Sequence, residues 1–138
     1  MRMVTLAGRA KLAALVVFSG VGLSGCLMKS PPPAVFTDYA TNVQIAQVLA
    51  AGCPNVAVDQ AGMGAGAREL GTALRAEGYT PEDISAFPDT LDVGAIQAST
   101  QAYLTQNGID PQDSTTVCPV AKREIDNNTA IAAFLDAV

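Results

Sequence analysis

Histidine and tryptophan are both absent from the 138 residues. Without histidine the chain can build no Ser-His-Asp or Cys-His catalytic set and no imidazole-bound metal. Its three cysteines, Cys26, Cys53 and Cys118, form no Cys-x-x-Cys pair, so the familiar dithiol redox and zinc motifs are missing as well. No apolar run reaches the ~20 residues a helix needs to cross a hydrocarbon layer ~30 Å thick. Nor does any segment alternate as a half-buried strand does; the apolar residues recur at helical spacing.

What is present begins with an address. Arg2, Arg9 and Lys11 stand ahead of an apolar stretch from Leu12 to Phe18, with no acidic residue among them, and the stretch softens through Ser19 to Gly22. This is the charged-then-apolar layout of a secretory signal. Leu23-Ser24-Gly25-Cys26 follows and resembles the lipobox of bacterial lipoproteins: a branched apolar residue, two small ones that fit a narrow peptidase site, and a thiol to take a diacylglycerol. The resemblance implies cleavage before Cys26, lipid on its sulfur and palmitate among the acyl chains. Two or more chains, at about 0.8 kcal/mol per buried methylene, hold stably where one is marginal. Leu27 is not the aspartate that the enteric sorting rule associates with inner-membrane retention, so the resemblance implies the periplasmic face of the outer membrane. Pro31-Pro32-Pro33 favours extended polyproline II and supplies a stiff spacer. The expected organisation is a signal peptide over 1–25, a lipidated cysteine and Pro-rich tether over 26–36, and one domain over 37–138, a length suited to a single core.

Loss of the signal removes three of the eight basic residues and none of the 13 acidic ones, leaving five against 13, a formal charge of −8. So acidic a domain lacks the lysines and arginines from which nucleic-acid binding takes most of its affinity. A cationic partner is admitted, and solubility alone also accounts for the charge. With Cys26 acylated, Cys53 and Cys118 remain as a pair in an oxidising compartment. Their bridge would remove about 4 kcal/mol of unfolded-chain freedom on the loop-entropy model. A redox-active or metal-binding thiol is the competing reading.

The periodicity predicts an all-α domain, a small bundle of five or six short helices with one disulfide. Ile45, Val48, Leu49 and Cys53 mark one helix face, stopped by Gly52 and Pro54. Asn55 is expected to cap a second helix with Val56, Met63, Ala67, Leu70 and Leu74 inward, and Gly78 at its C-terminal cap. Thr80-Pro81-Glu82-Asp83 is a strong start signal for a short helix carrying Ile84 and Phe87, closed by Pro88. A longer helix from about Asp89 turns Val93, Ile96, Tyr103 and Leu104 inward and stops at Asn107-Gly108. Cys118, Ala121 and Ile125 share a further helix, with Pro119 predicted in its first turn and Cys118 near its start. Asn127-Asn128-Thr129 breaks the pattern before a last apolar patch of Ile131, Phe134 and Leu135.

These landmarks resemble a small family of exported bacterial proteins known only as a domain of unknown function. The resemblance rests on a cysteine ending the first helix, Gly78-Tyr79-Thr80 with Asp83-Ile84, Ala102-Tyr103-Leu104 before Gly108, Cys118 followed by Lys122, Glu124 and Ile125, and the terminal Ile131, Phe134 and Leu135. It implies the fold and the disulfide and carries no activity. The Gly-rich second helix, Pro119 and the lipobox depart from the family pattern.

Few constellations could carry chemistry. Gly62-Met63-Gly64-Ala65-Gly66 after Val56-Ala57-Val58 matches a dinucleotide fingerprint on paper, but that motif needs a parallel sheet; the alternative is a small-residue helix face for close packing. Glu82 with Asp83, Asp89 with Asp92, or Asp110 with Asp113 could serve as acid and base or hold calcium, yet each has a local role at a helix start or in a turn. Tyr79 and Tyr103 are expected at the surface as a possible contact patch, with Phe87 and Phe134 in the core. No cofactor and no metal are expected. The favoured function is a non-catalytic, lipid-tethered envelope module that binds a protein or cell-wall component. The alternative is a carboxylate-dependent hydrolase acting on envelope polymers.

Overall fold

The computed structural model describes residues 31–138; the signal, the lipobox and Cys26 lie outside the described residues. Pro33, with φ −65° and ψ 157°, leads directly into helix α1, Ala34–Gly52, which takes in residues 34–36 of the expected tether. Ile45, Ala46 and Leu49 form its buried stripe. The Cys53 amide still donates to the Leu49 carbonyl, and Pro54, having no amide hydrogen, cannot continue the ladder.

Beyond Pro54 the chain departs from the helical expectation. Asn55 caps nothing: Val56–Val58 is a strand, β1, antiparallel to Leu135–Ala137, β2, with Val56 opposite Ala137 and Val58 opposite Leu135. The Val138 amide donates to the Asn55 carbonyl and the Asp59 amide to that of Phe134, extending the pairing at both ends. Three residues are too few to display alternation, and the partner lies far along the chain, where local periodicity has no reach. Helix α2, Gln60–Ala76, therefore starts after Asp59 and buries Leu70 and Leu74; Ala67, expected inward, is exposed.

Gly78 (φ 96°), just beyond α2, and Gly108 (φ 64°) take the left-handed conformation that glycine adopts without steric cost. Thr80 opens α3, Pro81–Ala86, through a full capping box, its hydroxyl accepting from the Asp83 amide while the Asp83 carboxylate accepts from the Thr80 amide. Residues Phe87–Thr90 make one 3-10 turn instead of starting a helix. Helix α4, Val93–Gln106, begins only after Asp92, whose carboxylate accepts from the Ala95 amide. Val93 consequently lies in the first turn and is 59% exposed, not inward; Ile96, Thr100 and Leu104 form the buried face.

Helix α5 spans Ser114–Asp126, capped by Asp113. It starts earlier than the apolar pattern predicts, so Cys118 sits in its second turn and Pro119 lies inside the helix. Both Pro119 and Thr115, whose carbonyl loses its usual donor, are exposed, which keeps that carbonyl out of the core.

Over the described residues the architecture is all-α, five helices with a two-stranded ribbon. Cys53 and Cys118 are bonded, with Cα atoms 5.0 Å apart, joining the end of α1 to α5. Around that bridge Ile45, Leu49, Leu104, Val117, Val120, Ile131, Phe134 and Leu135 pack into the main core. Leu70, Leu74 and Phe87 make a separate, smaller cluster, and half-buried Tyr39 touches both. Among the described residues no helix is long and apolar enough to cross a membrane.

Candidate functional site

Each carboxylate pair nominated from the sequence has a structural duty. Asp83 is held below the ordinary aspartate range by hydrogen bonds from the Thr80 amide and hydroxyl, and Asp113 by those from the Thr115 hydroxyl and amide. Asp92 caps α4, and Asp110 accepts from the Gln112 amide. Glu82 stands exposed in the first turn of α3, and Asp89 is exposed in the 3-10 turn. Among the described residues no three His, Cys, Asp or Glu side chains gather as metal ligands would.

The Gly-rich stretch also has a packing explanation. Gly62, Gly64 and Gly66 lie within α2, not in a strand-to-helix turn, and the preceding strand pairs antiparallel. A Cβ on Gly62 would run into the Ala133 carbonyl oxygen, and one on Gly66 would stand 2.9 Å from the Phe134 ring and 3.2 Å from that of Tyr39. These two glycines let the segment before β2 lie directly on α2.

Tyr79 and Tyr103 are both half-buried and occupy different surroundings. Tyr79 meets Phe87 edge-on, ring centroids 5.3 Å apart. Tyr103 donates its hydroxyl to Glu124 at 2.7 Å, and burial, followed by that bond, pushes its pKa upward. Glu124 is a buried carboxylate, 7% exposed, that sequence reasoning did not single out. Burial works to raise its pKa, but hydrogen bonds from Thr129, Tyr103 and Arg123, with the Arg123 charge, outweigh it and hold the group below the glutamate range. With Thr129 at 2.6 Å on its other oxygen, Glu124 ties α5 to α4 and to the segment leading into β2. Bonded on both oxygens and held below the ordinary range, this carboxylate acts as a brace between the three segments.

A groove between α1 and α2 is the feature best suited to hold something. It encloses about 500 Å³, within the range of small-ligand sites. Val35, Asp38, Tyr39 and Asn42 come from α1 at i, i+3, i+4 and i+7; Gly62, Ala65, Gly66, Glu69 and Ala73 come from α2 on the same spacing, with Ala130, Ala133 and Phe134 at one side. Tyr39 is fixed by its hydroxyl bond to the Met63 carbonyl and by its ring against Phe134. The polar side chains Asp38, Asn42 and Glu69 make no hydrogen bond or ion pair among the described residues. Sequence reasoning missed these faces because it followed apolar periodicity, and they repeat with small and polar residues. A second cavity, about 340 Å³, lies beside the disulfide and is lined in part by Asn55, Lys122 and Val138.

A family model matches residues 32–136, nearly everything from the prolines to β2. The chain belongs to DUF5333, a family of unknown function. The DUF5333 match thus takes in both walls of the groove, the disulfide and the Glu124 brace. No curated protein and no solved structure matches the chain.

Proposed function

We propose that this DUF5333 protein is a non-catalytic binding module, lipid-anchored through Cys26 on the periplasmic face of the outer membrane, whose ligand seat is the groove between α1 and α2. The carrying observation is the groove itself: a mostly apolar floor edged by three polar side chains without partners among the described residues, on a molecule where Asp83, Asp92 and Asp113 are occupied as caps. The pattern suits recognition, in which an apolar patch supplies affinity and a few polar groups fix orientation. The lipobox supports the anchor, and the prolines before Ala34 support a short, stiff connection.

Two measurements test the reading. Intact mass of protein from native membranes, before and after reduction and alkylation, is expected to give residues 26–138 plus acyl chains; an unlipidated mass removes the anchor. Affinity capture from solubilised envelope is expected to recover a stoichiometric partner with the wild-type chain and to lose it with Ala65→Trp, which fills the groove from an exposed wall position. Equal recovery by both proteins would sink the groove as the seat.

A further inference from the structure

The two walls of the groove carry charge of one sign. Among the described residues Asp38 on α1 and Glu69 on α2 are its only charged lining residues, both exposed and neither of them paired there. Arg68, Arg75, Lys122 and Arg123 are the basic residues of the described chain, and none lines the groove. Lys122 is committed to Asp126, and Arg123 to Asn107 and Glu124. Two carboxylates facing an apolar trough without a counter-ion leave a negative field that the domain's own surplus of acid reinforces. Anionic ligands, including phosphate and lipid headgroups of net negative charge, are repelled by it. The floor of Val35, Leu70 and Phe134 calls for apolar groups beside the cation.

Resting on the groove reading above, we infer that the occupant is a segment of a partner protein that lays one or two apolar side chains on Val35, Leu70 and Phe134 and sets a lysine or arginine between Asp38 and Glu69. The unpartnered Asn42 amide offers a donor and an acceptor to that segment's backbone. The cavity volume holds a few side chains and not a folded domain, so specificity resides in a short stretch. Charge complementarity of this kind governs choice of partner and encounter rate more than total affinity.

The test uses the full-length protein, in phosphatidylcholine nanodiscs where its mass shows acylation, with three fluorescent peptides sharing one Leu/Phe pattern and flanked by Lys, Gln or Glu. Fluorescence anisotropy is expected to show the Lys-flanked peptide binding roughly tenfold more tightly than the Gln-flanked one, the gap closing as salt rises. Asp38→Asn with Glu69→Gln, both exposed changes that leave circular dichroism unaltered, is expected to erase that gap, and Ala65→Trp to weaken all binding. Equal binding of Lys- and Gln-flanked peptides, still blocked by Ala65→Trp, overturns the cationic partner while leaving the groove. Lys-peptide binding indifferent to Ala65→Trp overturns both, as does failure of every peptide to bind together with unchanged envelope capture. Self-association abolished by Ala65→Trp would make a second copy the occupant and overturn the inference.

Discussion

The bridged lobe of α1, α4 and α5 and the smaller lobe of α2 and α3 are held by different means. Thirteen buried side chains pack together in the first, with a disulfide and the Glu124 brace; three fill the second, supported by edge-to-face contacts of Phe36 and Tyr79 on Phe87. A cluster of three leaves the smaller lobe dependent on caps, on the Tyr39 seam and on the glycine contacts with residues 133 and 134. The groove opens along that seam. Its α1 wall therefore belongs to the bridged lobe and its α2 wall to the lobe with the smaller buried cluster.

Removing the bridge tests the contrast most severely. Cys53→Ser with Cys118→Ser is expected to lose about 4 kcal/mol in urea unfolding, because the unfolded chain regains a long loop's freedom. Retention of nearly all the stability would show that packing alone secures the larger lobe. Next, Glu124→Ala is expected to cost about 3 kcal/mol by stranding the Tyr103 and Thr129 hydroxyls. The sign with pH follows from the depressed pKa: the ionised brace contributes fully above the ordinary glutamate range near 4.5, and its contribution is lost as pH falls through the lower folded value. The stability difference between wild type and Glu124→Gln should accordingly shrink on acidification; a constant difference would show that the charge is immaterial.

Leu74→Ala, at a fully buried site, is expected to cost about 3 kcal/mol, with faster amide exchange confined to α2 and α3. Equal acceleration in α5 would erase the two-lobe distinction. Gly62→Ala is expected to destabilise by roughly 2 kcal/mol because the new Cβ meets a backbone oxygen, whereas Gly64→Ala, facing only the flexible Arg68 side chain, should gain roughly 0.5–1 kcal/mol in thermal unfolding. Thr100→Val, which removes a buried hydroxyl without a partner, is expected to gain about 1 kcal/mol within the bridged lobe.

The same division governs what could be read from the sequence. Features fixed by adjacent residues were legible: the Thr80-Asp83 box, the stops at Gly78 and Gly108, and the inward stripe of α1 that aims Cys53 at its partner. Val93 and Cys118 were misplaced along their helices because Asp92 and Asp113 set the true starts, and a capping hydrogen bond overrides apolar spacing. The β1–β2 pairing was illegible since neither three-residue strand carries its partner's address. Glu124 entered the sequence reading only as a landmark of the family resemblance, and the approach of Tyr103 and Thr129 from elsewhere is what makes it a buried brace. The groove has the same origin: two unremarkable polar faces become a site only when the segment before β2 brings them together.

The ribbon of β1 and β2 also imposes an order of events. Val56–Val58 finds its partner only when residues 135–137 exist, and Cys53 finds its own only at Cys118. Both links join the region just after α1 to segments far along the chain, so the contacts that complete the core are long-range ones. Folding of this protein is a closing event, in which two distant segments must meet before ribbon and bridge exist.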